Sequence, residues 1–413
     1  MDPRASVEAV WRVESARIVS TLARVVGDFE QAEDLAQVAL AEALESWPVT
    51  GVPENPGAWL TTVAKRRAVD AWRRRERQDA GYARLAGVDE PSTELAWEPI
   101  PDDVLRLVFV ACHPVLGREA QIALTLRVVG GLSSEEVARA FFVPVPTMQA
   151  RITRAKKTLS AARVPFEVPE PQEWADRLAG VLAVIYSVFT EGYAATSGET
   201  WIRPDLAREA LRLGRVLARL VPREPEVHGL LALMELQSSR FAARVAPDGS
   251  PVLLPDQDRR RWDRSAIHRG REALRRVDEL GRGRGAYALQ AAIAEVHATA
   301  RTYDETDWPR IVLLYDALAR LAPSPVVELN RAVAISMAEG PESALPLVDQ
   351  LVDAGALAGS HLPRSVRGEL LARLGRVEEA AAELAAAGLT SNERQRHTLL
   401  DRAAALRVNA QTP

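Results

Sequence analysis

At 413 residues the chain exceeds one ordinary hydrophobic core, so about two to four domains are expected. Its net charge of −4 averages over unlike halves, and local charge near the front is the better guide to partners. One cysteine excludes an internal disulfide or a cysteine zinc cluster. No run approaches the roughly eighteen apolar residues of a membrane span, so a cytoplasmic protein without membrane insertion is expected.

Alanine, leucine, arginine and glutamate dominate and strand-spaced β-branched runs are scarce, which predicts an all-α fold. Apolar spacing over 6–26 predicts a first helix with Val10, Val13, Ile18, Leu22 and Val25 inward. Gly27-Asp28 breaks it, and a second helix starts near Glu30 with Leu35, Val38, Leu44 and Trp47 on one side. Pro48, Gly51, Pro53 and Pro56 then form a stiff connection, and proline at a first turn suits a third helix over 56–77. Trp59, Leu60, Val63 and Trp72 lie on its apolar stripe. Its segment KRRAVDAWRRRER loads Lys65, Arg66, Arg67, Arg73, Arg74 and Arg75 onto other surfaces. Glycines and prolines over 79–100 read as a linker.

A second helical unit follows, with helices near 102–111 and 117–129 and then Gly130-Gly131. Ser133 suits an N-cap and Glu136 completes a capping box, with Val137 and Ala138 turned inward. FVPVP makes the turn, and the last helix, from about Pro146, buries Met148, Ile152 and Leu159. Cys112, within LRLVFVACHP, is expected to be buried and inert. Beyond Pro165, LAGVLAVIYSVF opens a run of helices expected at 173–190, 205–220, 225–240, 263–280, 285–302, 308–321 and 325–338. RAVAISMAEGPESALPLVDQL at 331–352 echoes RGELLARLGRVEEAAAELAAAG at 367–388, near the tetratricopeptide period of about 34 residues. Gly340 and Gly375 fall at the bends, and Ala344 and Ala380 where two helices would approach.

A helix-turn-helix sets its second helix in the major groove, which places Thr147, Gln149, Ala150 and Arg151 at base-facing positions. Glutamine can bridge adenine and arginine can bridge guanine, while Arg154, Lys156 and Lys157 suit phosphates. Trp59 and Trp72 read first as core and second as stacking platforms for an unpaired base. Solvation explains the exposure of the neighbouring arginines but not their density, so they carry the nucleic-acid expectation. The six histidines show no metal-ligand spacing and no nucleotide fingerprint occurs, so no cofactor, metal or catalytic residue is expected.

DFEQAEDLAQVALAEALESW followed by NPGAWLTTVAKRRAVDAWRRR resembles region 2 of bacterial sigma factors of the extracytoplasmic-function group, group IV of the sigma-70 family. LRVVGGLSSEEVARAFFVPVPTMQARITRAKKTL resembles their region 4, and the remainder is similar, more loosely, to a tetratricopeptide-like extension carried by one branch. The resemblance implies a region 2 helical bundle over 1–78, a linker over 79–100, a region 4 helix-turn-helix domain over 101–165 and a TPR-like domain over 170–410.

It also implies a non-enzymatic subunit that directs RNA polymerase core to promoters, with the β and β-prime subunits and promoter DNA as partners. Asp34, Leu35 and Gln37 match the polymerase-binding helix. The loop 48–56 with Asn55, and then Trp59, Lys65, Arg66, Arg67, Arg73 and Arg74, match the surface that takes the melted −10 strand. Thr147, Gln149, Arg151, Arg154 and Lys157 match the positions that read the −35 duplex. Val38 replaces a usual acidic residue, Gln149 a usual lysine and Pro144 a usual serine cap.

Two other readings use the same residues. A stand-alone helix-turn-helix regulator with a helical scaffold accounts for 133–157 but leaves the arginine helix idle. A helical-repeat scaffold with an incidental basic front is the other. For the tail, three roles stay open: holding a regulatory protein, restraining the front, or adding a polymerase contact.

Overall fold

A seam of alanines organises the front of the chain. The computed structural model describes residues 3–27, 29–83, 101–141, 143–170, 172–193, 204–246, 252–357, 360–387, 400–401 and 403–405. Helices α1 (Pro3–Val26) and α2 (Phe29–Thr50) pack through Ala32, Ala36, Ala39 and Ala43, which recur every three or four residues on the buried face of α2. Trp47 completes that face, and Val7, Trp11, Ile18, Val19, Leu22 and Ala23 are buried from α1.

The expected stripes are therefore displaced. Val13 is 67% exposed, Val38 44% and Leu44 37%. Small side chains let two helices approach where leucines would hold them apart, so alanine outcompetes bulk on this face. Gly27, at φ +73°, makes the break between α1 and α2. Pro48 lies inside the last turn of α2 rather than in the connection, and Gly51, at φ +83°, follows the helix. Helix α3 (Pro56–Ala83) starts at its expected proline and buries Leu60, Val63, Ala64 and Ala68. It continues past Arg77 into residues expected to be linker.

Helices α4 (Pro101–Ala111), α5 (Arg118–Val128), α6 (Ser134–Ala140) and α7 (Val145–Ala161) lie where the spacing predicts them. Phe109, Leu124, Leu126 and Met148 are fully buried among them. Cys112 is buried as expected, its Sγ 3.3 Å from Thr125 Oγ1, and burial pushes the thiol up to about 11. Asp103 of α4 is also buried. Its carboxylate accepts Nε of Arg24 from α1 at 2.7 Å and Nη1 of Arg106 at 2.8 Å. These helices and the start of α8 (Trp174–Tyr193) form one compact unit, Met1–Ser187. Val181, Val184, Ile185 and Phe189 are buried on several sides of α8, as its composition predicts.

The second unit, Val188–Pro413, is also helical among the described residues. It runs through α9 (Pro204–Leu220), α10 (Pro225–Ser238), α11 (Arg264–Glu279), α12 (Ala286–Thr299), α13 (Trp308–Leu321), α14 (Pro325–Ala338), α15 (Pro341–Asp353), α16 (Leu362–Arg373) and α17 (Val377–Ala387). Successive helices pack pairwise, as in a helical-repeat extension. Gly340 and Gly375 take φ of +108° and +75° at the two bends, and Ala344 and Ala380 are fully buried, as the echo between the two segments implies.

Two features position the start and end of α12. Glu226 of α10 accepts the backbone N–H groups of Tyr287 at 2.8 Å and Ala288 at 3.2 Å, capping its first turn. Beside it, a Cβ on Gly229 would fall 2.7 Å from Ala288 N and 3.0 Å from its Cα. Alanine gains roughly 1 kcal/mol of helix propensity over glycine, but the clash is with backbone and cannot be relieved by a rotamer. Gly229→Ala is therefore expected to lower stability by about 2 kcal/mol net, read as a lower urea midpoint at unchanged m. Near its end, His297 meets Trp308 edge-on at 5.2 Å. Arg259 donates to the Ala300 carbonyl at 2.8 Å and lies over the Trp262 ring at 4.7 Å.

Candidate nucleic-acid interface

The local sequence fixes which side of α7 faces out. Ser133 Oγ accepts the N–H of Glu136 at 3.1 Å, and the Glu136 carboxylate accepts the N–H of Ser133 at 2.8 Å, completing the expected capping box of α6. Pro144 stands at the N-cap of α7 without a side-chain cap, as its missing serine implies. Met148, Ile152, Ala155 and Leu159 are buried at four- and three-residue steps. That register leaves Thr147, Gln149, Ala150, Arg154 and Lys157 exposed along the helix.

Two cations of α7 depart from this pattern. Arg151 is half-buried and pairs through Nη2 with Glu119 of α5 at 2.8 Å. Lys156 does not face outward with the phosphate candidates: its side chain is 13% exposed and is paired with Glu33 of α2. Lys156 therefore points toward Glu33 and Asp34 of α2 rather than along the exposed row. A cleft of about 420 Å³ runs beside the exposed row, lined by Arg118, Arg151, Arg154 and Thr158 and by the start of α5 at Gly117. Glu119, paired with Arg151, also lines this cleft, so its net positive charge rests on Arg118 and Arg154 and on the helix N-terminus.

On α3 the predicted residues divide. Asn55 Oδ1 accepts the N–H of Ala58 at 3.1 Å, so this exposed side chain starts the helix. Trp59 is half-buried against Trp47, ring centroids 5.5 Å apart at 69°. Arg66 is exposed and Arg67 half-exposed, and both reach Glu42 of α2 at 2.7 Å, with Arg67 bidentate through Nε at 3.2 Å. That carboxylate raises the already high pKa of Arg67. Lys65 is half-buried. The side chains of Trp72, Arg73, Arg74 and Arg75 lie outside the described residues.

On α2, the Asp34 side chain is 69% exposed, and Leu35 and Gln37 are half-buried. Val38 is exposed beside them. Glu33, Glu42 and Glu119, which pair with the predicted cations, escape the sequence reading. Nothing in their spacing names a partner so distant in the chain.

Residues 12–78 match sigma-70 region 2, and residues 106–159 match sigma-70 region 4. The chain belongs to the sigma-70 family. Members of this family are non-catalytic, and the chain is accordingly no enzyme. Residues 177–278 match a family of unknown function, DUF6596. Over 400 residues the chain is 45% identical to the uncharacterized protein R00370 of Rhizobium meliloti, covering 95% of this chain and 90% of that one. It is 29% identical over 171 residues to a probable ECF RNA polymerase sigma factor, SigI, of Mycobacterium tuberculosis. That match takes in 40% of this sigma-70 family chain and 58% of SigI. No solved structure matches. Among the described residues, no helix is long and apolar enough to cross a membrane.

Proposed function

We propose that this chain is a promoter-specificity subunit of the extracytoplasmic-function type, which joins RNA polymerase core and directs it to promoters. The observation that supports this most is the exposed row Thr147, Gln149, Ala150, Arg154 and Lys157, set by a capped helix-turn-helix beside an arginine-lined cleft. In this reading Gln149 and Arg151 meet base edges of the −35 duplex while Arg154 and Lys157 meet phosphates. Glu119 keeps Arg151 extended across the cleft until a base replaces it. Glu42 fans Arg66 and Arg67 along α3, where with Lys65, Arg73 and Arg74 they take the unpaired −10 strand. Asn55 and Trp59 shape the loop that receives a flipped base, and Asp34, Leu35 and Gln37 meet the polymerase.

Run-off transcription with purified core on upstream regions of the native genome tests the proposal. Promoter-specific product is expected only when the chain is present. Gln149→Ala should relax selectivity at one base pair of the −35 element by about 1–3 kcal/mol, roughly 5- to 150-fold. Lys157→Ala should weaken all sequences alike and reduce the salt slope by about one. Tight, selective binding to duplex without polymerase, and no run-off product, would instead favour a stand-alone regulator. The second unit is proposed as a TPR-like platform for a regulatory protein, supported by its pairwise-packed helices. Unchanged strength and promoter choice after deletion of 188–413 would remove that role.

A further inference from the structure

Buried polar atoms without a partner gather at one place in the second unit. Among its described residues they are Gln257 Oε1, Arg259 Nη2, Trp262 Nε1, His297 Nδ1 and Thr306 Oγ1. Such atoms are rare in folded proteins, because each forfeits the hydrogen bond that water would have given it. Contacts tie four of these residues together. Arg259 lies over the Trp262 ring at 4.7 Å and donates through Nη1 to the carbonyls of His297 at 2.5 Å and Ala300 at 2.8 Å. The His297 ring meets Trp308, whose backbone N–H donates to the Thr306 carbonyl at 2.8 Å.

Capping the end of α12 accounts for Nη1 of Arg259 but not for its charge or its Nη2. Arg259 is 9% exposed, and among the described residues no carboxylate pairs with it. A second guanidinium, that of Arg240, stands 5.9 Å from the same Trp262 ring. Burial, then the positive charges of Arg240 and Arg264, lower the pKa of Arg259. A buried cation facing like charges is costly unless an anion joins it. The orphaned atoms are also one-sided in their chemistry. Arg259 Nη2 and Trp262 Nε1 can only donate, and the Thr306 hydroxyl and Nδ1 of a neutral imidazole can donate as well. Burial and the charges of Arg240 and Arg259 keep His297 neutral, so it brings a donor without a third charge. Gln257 Oε1 is the single acceptor, suited to a hydroxyl. A carboxylate carries one negative charge, whereas a phosphate group carries about −1.5 to −2 with three acceptor oxygens and so matches two guanidinium groups. Arg240, His297 and Tyr303 are half-buried, so the cluster lies just beneath the surface.

We propose that Arg259, Arg240, Trp262, His297 and Thr306 form a binding site for the phosphate group of a small molecule within the second unit. The site goes beyond the polymerase reading and does not depend on it. An occupant would join the residues before α11 to the end of α12 and the start of α13, and so stabilises the second unit by mass action.

Calorimetric titration of the full chain with inorganic phosphate, and in parallel with adenosine monophosphate, at fixed ionic strength tests the site. One saturable site and a raised melting temperature are expected. Arg259→Gln should weaken binding about tenfold or more, and Thr306→Val, which keeps the shape and removes the hydroxyl, about threefold. Arg260→Gln, at the neighbouring exposed arginine paired with Asp258, should leave binding unchanged. If Arg259→Gln fails to fold by circular dichroism, Thr306→Val and Arg240→Gln decide the matter by the same loss of affinity. Equal affinity for the two probes would assign the site to the phosphate group alone, and tighter binding of the nucleotide would extend it to the rest of that molecule. No saturable binding of either probe at millimolar concentration, or binding that survives these substitutions or falls equally with Arg260→Gln, would overturn the site.

Discussion

Replacing Asp103 with alanine is expected to lower the unfolding free energy of the first unit by about 3 kcal/mol, the lower end of the range for breaking a buried ion cluster. The fully buried carboxylate accepts from both the Arg24 and the Arg106 guanidinium, and removing it takes this partner from two cations at once. Their side chains are 20% and 29% exposed, so water recovers part of the loss. Asp103→Asn keeps the shape and one acceptor oxygen, and a smaller loss of about 1–2 kcal/mol follows. Urea unfolding followed by tryptophan fluorescence measures both. A loss below about 1 kcal/mol for alanine would mean that the arginines rehydrate freely and the cluster contributes little.

In the second unit the largest pH effect is expected from His297. Burial, reinforced by the positive charges of Arg240 and Arg259, pushes its imidazole down to about 3 from 6.5. Below 6.5 the unfolded chain gains a proton that the folded chain refuses, so folding weakens as pH falls. The contribution is fully present above 6.5 and lost progressively down to about 3. Between neutral pH and 4.5 the expected loss is about 3 kcal/mol. His297→Phe preserves the ring against Trp308 and removes the titrating group. The difference between the two proteins, measured by thermal unfolding at pH 7 and 4.5, cancels the carboxylates that titrate in the same window. Parallel pH profiles would show that the imidazole is not held neutral by the fold.

Local signals carried most of the architecture. The capping box at Ser133 and Glu136, the proline start of α3 and the glycine bends at Gly340 and Gly375 are chemical requirements of short segments, and short segments declare them. The buried face of α2 was not legible, because its hydrophobic weight sits on Leu35, Val38 and Leu44 while its packing uses Ala32, Ala36, Ala39 and Ala43. Close approach of two helices rewards smallness, which a hydropathy pattern scores as neutral. The exposed row on α7 follows from the burial of Met148, Ile152 and Leu159, whereas the pairing of Lys156 with Glu33 joins residues 123 positions apart. No periodicity reaches that far.

Cys112 has a consequence for how this protein could sense its surroundings. Oxidants attack thiolates, and a thiol that ionises only near pH 11 inside the core offers them almost none. Peroxide or disulfide stress therefore has no direct foothold on the chain through its single sulfhydryl.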